Sequence, residues 1–241
     1  MTIIDKTSKI PLYLQLMQEM INKIEKGVYK ENDKLPSERE LCKIYDLSRI
    51  TVRQALQELE REGYIYKVHG VGTFVAPKKY DQSLVKLYSF TDEMKKLGKT
   101  PSTKVIEFTI LAIDEYLAKK MKLEPKEEVY KIVRLRLADG EPLIYETTYL
   151  PREVFPKLSV NDLISRPMYT IFQEDYNIHV TRAIETFSAT VVREDEALYL
   201  DVPAQKPAML IKRYAYFNDL LIEYTVSVAR GEKFKYIVEL S

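Results

Sequence analysis

Residues able to make directed polar contacts fall in two separate parts of this chain. In the first, Val52, Ala55, Leu56 and Leu59 fall at i, i+3, i+4 and i+7. That spacing gives one buried helix face and turns Ile50, Arg53, Gln54, Gln57 and Arg61 outward. Arginine and glutamine can each make paired hydrogen bonds to base edges in the DNA major groove. Arg49, in the first turn, is positioned to meet a phosphate or a base at the groove edge, and Thr51 can donate to a phosphate. An exposed Ile50 suits a thymine methyl. Lys67, His69 and Gly70 lie at the tip of a following hairpin. A glycine there can approach the minor groove closely because it carries no side chain. A solvated helix face looks much the same, so spacing alone leaves both readings open.

The second part is richer in charge. Tyr88-Ser89-Phe90-Thr91-Asp92-Glu93 ends a loop and starts a helix, which gathers hydroxyls and free backbone N–H groups suited to a phosphate or carboxylate. Arg134 and Arg136 lie two apart on a predicted strand, so they share a face and could clamp one anion. Glu146 and Glu223, on other strands, could accept hydrogen bonds from hydroxyl or amine groups of a ligand. The plainer alternative is that Ser89 is a simple N-cap and the charged residues form a cross-strand ladder. Catalysis has little to work with. The two histidines, His69 and His179, fall in the hairpin and in a strand, and no serine, cysteine or metal cluster stands at catalytic spacing. A general acid built on Glu146 or Glu223 stays open. No enzyme activity and no cofactor are expected.

The elements that must position these residues are legible. Leu12, Tyr13, Leu16, Met17, Met20, Ile21 and Ile24 form the apolar stripe of a first helix, with Pro11 in its first turn and Gly27 at its end. Ser37-Glu38-Arg39-Glu40 reads as a capping box opening a second helix that runs to about Tyr45. Asp46-Leu47-Ser48 turns the chain, and Ser48 caps a third helix stopped by Gly63. Residues 64–68 and 73–75 form a hairpin. Residues 77–87 lack a period and read as a linker. Beyond them, strands are expected at 129–137, 143–149, 179–186, 208–216, 221–228 and 236–240, with helices near 91–97, 114–121, 168–175 and 193–200. The expected fold is α+β: a domain at 1–76 and a mainly antiparallel sheet domain at 88–241.

Bulk composition sets limits. The chain has 241 residues, of which 46% are hydrophobic, enough for packed cores. One cysteine, Cys42, rules out an internal disulfide and suits a reducing compartment. No apolar run approaches the roughly 20 residues that span a membrane, so a cytoplasmic protein is expected. Net charge is +1, and residues 1–76 hold twelve Lys and Arg against eleven Asp and Glu. Any DNA footprint must therefore come from how charges are arranged on one face.

Three motifs in order now bring a family into view. Leu35-Pro36-Ser37-Glu38-Arg39-Glu40-Leu41, Ser48-Arg49-Ile50-Thr51-Val52-Arg53-Gln54-Ala55-Leu56 and Gly70-Val71-Gly72-Thr73-Phe74-Val75 closely resemble the winged helix-turn-helix of GntR-family bacterial repressors. The resemblance covers essentially all of residues 10–76. It implies that Arg39, Arg49 and Arg53 contact operator DNA and that Gly70 enters the minor groove. Two departures are small: Glu31-Asn32 replaces the usual Pro-Gly, a turn asparagine tolerates, and Cys42 stands where alanine is usual.

Residues 87–240 resemble the UTRA effector domain of the HutC branch through three looser groups of motifs. These are Leu87-Tyr88-Ser89-Phe90-Thr91 with Lys96-Leu97-Gly98, Val133-Arg134-Leu135-Arg136 with Gly140-Glu141-Pro142, and Glu223-Tyr224-Thr225-Val226-Ser227 with Arg230-Gly231-Glu232-Lys233-Phe234. The resemblance implies a chorismate-lyase-like fold, homodimerisation and a small anionic effector, most like the amino-sugar-phosphate-sensing members. In those members the loop with Ser89, Phe90 and Thr91 and the paired arginines hold phosphate. Residues matching Glu146, Glu223 and Tyr169 face the sugar. Pro167 and Ala229 depart from that pattern and leave the exact sugar open. Two rival readings remain: a regulator whose second domain binds no ligand, and an enzyme on the same fold.

Overall fold

The computed structural model describes residues 4–77, 80–83 and 89–237. The chain divides into two compact units, Met1–Lys78 and Lys79–Ser241.

The first unit is built from α1 (Leu12–Glu25), α2 (Glu38–Tyr45), α3 (Arg49–Arg61) and a hairpin of β1 (Ile65–Val68) with β2 (Gly72–Val75). Its caps are those the sequence prescribes. The Ser37 amide donates to Glu40 Oε2 at 2.8 Å and the Glu40 amide donates back to Ser37 Oγ at 3.3 Å. Ser48 accepts from the Thr51 amide at the start of α3. Asp46 between the helices takes a left-handed conformation, φ 51°, which a short polar side chain tolerates. Val52, Ala55, Leu56 and Leu59 of α3 are buried with Leu16 and Met20 of α1, Leu41 of α2, and Ile65 and Val75 of the hairpin. Each such aliphatic burial contributes about 1.5–3 kcal/mol, which locks the opposite face of α3 outward.

The second unit centres on a six-stranded antiparallel sheet in the order β4-β5-β6-β9-β8-β7. Its strands are β4 (Pro101–Ala112), β5 (Glu128–Ala138), β6 (Glu141–Pro151), β7 (Arg182–Val191), β8 (Pro207–Phe217) and β9 (Leu220–Arg230). One face carries α4 (Phe90–Lys96), α6 (Val160–Ser165) and α7 (Met168–Tyr176); the other carries α5 (Glu115–Met121) and α8 (Glu194–Leu200). A separate parallel pair joins β3 (Tyr80–Ser83) to β10 (Phe234–Ile237).

Several elements depart from the sequence reading. β4 and α6 were not foreseen. β4 is an edge strand with an irregularity between Val105 and Glu107 that breaks its alternation, so no period of two survives to be read. Within the stretch read as linker, residues 80–83 form a strand, which owes its existence to a distant partner and not to local pattern. β7 begins at Arg182 rather than 179, and β10 covers 234–237; residues 238–240 of the expected last strand lie outside the described residues.

The register explains the site. Arg134 and Arg136 on β5, Glu146 and Thr148 on β6, Glu223, Thr225 and Ser227 on β9, and Ile211 and Arg213 on β8 share one face by period-two alternation. On that same face Ile144, Ile211 and Ala229 belong to an apolar cluster under α4, and Tyr130, Ile132 and Leu150 to one under α6 and α7. The polar set lies between the two.

Candidate functional site

In the first unit, Arg49, Ile50, Arg53, Gln54, Gln57 and Glu58 line one groove on the outward side of α3. Ile50 is 80% exposed and lies in the same groove as the two arginines. Glu38, the first residue of α2, faces two arginines at once: its Oε2 lies 3.6 Å from Arg49 Nε and 3.4 Å from Arg53 Nη2. The sequence reading gave Glu38 no role, although it sits inside the quoted capping motif. Arg39 is exposed on α2. Thr51 is half-buried, and its hydroxyl is 2.8 Å from that of Ser48, so it takes part in the cap. At the hairpin, Lys67 pairs with Glu60 at 2.8 Å and His69 is exposed. Gly70 has φ +73° with open space where a Cβ would stand.

In the second unit, a cavity of about 160 Å³ gathers every ligand residue named from the sequence: Ser89, Phe90, Thr91, Arg134, Arg136, Glu146, Tyr169 and Glu223. Ser89 caps α4, accepting from the Asp92 amide and donating to its carboxylate. Thr91 accepts from Arg136 Nη2 at 3.1 Å, and the Arg136 guanidinium lies over the Phe90 ring at 4.9 Å. Both arginines converge on one oxygen, Glu146 Oε1, at 2.6 Å from Arg134 and 3.2 Å from Arg136. Glu146 thus stands with the arginines and not at the opposite end of the cavity. Burial lowers the Arg136 pKa from its ordinary value; Glu146 opposes that shift and Arg134 adds to it. Burial works to raise the Glu146 carboxyl, but the two arginines outweigh it and hold it below the usual range.

At the far end, Tyr169 donates to Glu223 Oε2 at 2.7 Å and accepts from Arg213 Nη1 at 2.9 Å. Arg213 in turn holds Glu185 at 2.7 Å. Burial pushes the Tyr169 phenol well above its ordinary value, Arg213 opposing and Glu223 adding to the rise. Arg213, Glu185, Thr225 and Ser227 line the same cavity and were not singled out in the sequence. A period-two rule applied outward from Glu223 would have found Thr225 and Ser227. Pro167 lines the cavity, whereas Ala229 is buried in the adjoining apolar cluster. The cross-strand ladder and the cavity are therefore one structure.

A capped helix triplet with an exposed arginine-glutamine face and a wing, joined to a separate domain enclosing a charged cavity, defines a ligand-responsive transcription regulator. Residues 12–75 match the gntR family of bacterial regulatory proteins, and residues 96–235 match the UTRA domain. The chain is 34% identical to the HTH-type transcriptional repressor NagR of Bacillus subtilis (strain 168) over 235 residues, 97% of this chain and 96% of that one. It is 28% identical to the probable fructoselysine utilization operon transcriptional repressor of Escherichia coli (strain K12), over 90% of this chain and 88% of that one. Among solved structures, PhnF from Mycobacterium smegmatis superposes with a TM-score of 0.68 at 27% identity, covering 93% of this chain and 99% of that one. The chain belongs to the GntR family and carries its UTRA domain: it is a DNA-binding transcription regulator and not an enzyme. No helix among the described residues is long and apolar enough to cross a membrane.

Proposed function

We propose that the protein is a homodimeric repressor that reads double-stranded operator DNA with α3 and the hairpin and releases it or holds it according to an anionic metabolite in the sheet cavity. The reading of the effector as an amino-sugar phosphate rests on one observation. Two buried guanidiniums share a single carboxylate oxygen, which leaves an excess positive charge out of water, and the Nε atoms of both Arg134 and Arg136 have no hydrogen-bond partner among the described residues. A buried charge without full compensation is costly, and a phosphate in the cavity that both arginines line would supply the missing negative charge. Two strands away, a separation of roughly 10 Å, Glu223 is buried with only hydroxyl partners. A ligand that is anionic at one end and presents hydroxyl or ammonium groups at the other matches this polarity. That one relative is named for fructoselysine utilization supports a sugar-derived effector.

Arg39, Arg49, Thr51, Arg53, Gln54 and Gln57, with Lys67, His69 and Gly70 on the hairpin, form the DNA-contacting set in this reading. A two-fold dimer would read a pseudo-palindromic operator. Effector binding changes how the segment near residues 77–90 spaces the two winged units, and a coupling of about 1–3 kcal/mol, roughly 5- to 150-fold in operator affinity, suffices.

The test is a thermal-shift panel of glucosamine 6-phosphate, glucose 6-phosphate, free glucosamine and inorganic phosphate, followed by operator gel shifts with each. A true effector at 100 times its dissociation constant adds about 2.7 kcal/mol of stability. If no phosphorylated sugar stabilises the protein or alters operator binding, the effector reading fails. Light scattering of the free protein tests the dimer.

A further inference from the structure

The cavity floor carries a chain of hydrogen bonds whose direction is fixed by its two ends. Arg134 Nη2 donates to Thr148 Oγ1 at 3.2 Å. Thr148 and Thr225 are directly opposed on β6 and β9, with their hydroxyl oxygens 2.9 Å apart. Thr225 Oγ1 donates to Glu223 Oε1 at 2.6 Å. A second arm arrives from the other side, Arg213 to Tyr169 and Tyr169 to Glu223 Oε2. A guanidinium can only donate, a carboxylate can only accept, and each hydroxyl has one proton. Thr225 gives its proton to Glu223, so between the two threonines Thr148 is the donor. Tyr169, receiving from Arg213, likewise points its proton at Glu223. Both arms therefore converge on one carboxylate.

Building on the proposed anionic effector, we infer that Thr148 and Thr225 form a one-way relay that couples the anion-holding Arg134 to Glu223 and makes the far end of the cavity accept hydrogen bonds rather than donate them. Thr148 is fully buried and is not among the cavity's lining residues, so it touches no ligand and acts as a positioning residue. With the protons of Thr225 and Tyr169 committed, what Glu223 offers to the cavity is its remaining acceptor sites. Effector groups held there are hydroxyl or ammonium donors, and a carbonyl or carboxylate at that position is rejected. The relay also holds Glu223 in place: the Thr148 hydroxyl fixes Thr225, and Thr225 fixes the carboxylate, so loss of the Thr148 hydroxyl loosens Glu223 and weakens its hold on a ligand donor.

The experiment uses the full chain and two probes, inorganic phosphate and glucosamine 6-phosphate, titrated calorimetrically. Thr148→Val removes the relay hydroxyl at nearly constant volume, and Thr148→Ser keeps it. Loss of one buried hydrogen bond should weaken glucosamine 6-phosphate by roughly tenfold in the valine variant while phosphate changes less than about threefold, and the serine variant should bind both like the wild type. Equal losses for both probes, or no loss for the sugar phosphate, overturn the relay. A ligand-free arm is urea denaturation: the destabilisation caused by Thr148→Val should be smaller in a Glu223→Gln background, although these two residues are linked only through Thr225. Equal costs in both backgrounds also overturn it. If the wild type binds neither probe, the effector reading fails and the denaturation cycle alone decides the relay.

Discussion

Glu38 on α2 and Arg53 on α3 are joined across the helix-turn-helix, carboxylate Oε2 to Nη2, at 3.4 Å. The same oxygen holds Arg49 at 3.6 Å. The pair is solvent-exposed enough that it adds little stability. Its consequence is geometric: it keeps two long side chains over one groove before DNA arrives, at the cost of an acidic group beside that groove.

Arg53→Ala is expected to reduce specific operator affinity by about 1–3 kcal/mol, the value of one good arginine–base contact, and to leave effector-induced thermal shifts intact. Gel shifts on operator and scrambled DNA check it. Unchanged operator affinity sinks the assignment of α3 as the reading helix.

Glu38→Gln should raise affinity for scrambled DNA and lower the ratio of operator to scrambled affinity. Removing a negative charge beside the groove raises affinity for scrambled DNA, while the loosened arginines lose part of their discrimination between operator and scrambled sequence. A specificity ratio equal to wild type at matched salt would count against the positioning role of Glu38.

Gly70→Val tests the hairpin tip. A Cβ added there meets no atom within 4 Å in the free protein, but φ +73° is strained for any residue that carries one. A stability loss of about 1–2 kcal/mol is expected, together with a loss of operator binding larger than this strain can explain. Chemical denaturation and gel shift separate the two.

Glu146→Gln removes the partner of two buried guanidiniums and is expected to destabilise the protein by about 3–5 kcal/mol at neutral pH. Inorganic phosphate should restore more stability to this variant than to wild type, since it replaces the missing negative charge. Equal stabilisation of both proteins argues against an anion seat at Arg134 and Arg136.

The pH dependence of that same pair follows from its direction. The Glu146 carboxyl titrates lower in the folded protein than its ordinary value of 4.5. Its contribution is therefore fully present above about pH 4.5 and is lost as the pH falls through the lower folded value. Urea midpoints measured from neutral pH downward should show the wild-type advantage over Glu146→Gln shrinking only below that point. An advantage that shrinks already between pH 7 and 5 contradicts it.

The sequence by itself determined the first unit nearly completely. Ser37 with Glu40, Ser48 with Thr51, and the apolar spacing of Val52, Ala55, Leu56 and Leu59 are short-range signals, and short-range hydrogen bonds and a helical period are enough to fix which face of α3 is exposed. It also named Arg134 and Arg136, which strand alternation puts side by side without knowledge of any partner strand, whereas Tyr169 came only from the family resemblance and Arg213 and Glu185 were not named. What only tertiary structure decided is who meets whom. The order β5-β6-β9-β8 brings Glu146 to both arginines, Thr148 opposite Thr225, and Arg213 to Tyr169 on α7, and the pairing of β3 with β10 turns part of an apparent linker into sheet. Those meetings join residues from 10 to 77 positions apart within the six-stranded sheet and α7, and they are set by strand register and burial, which no local spacing encodes.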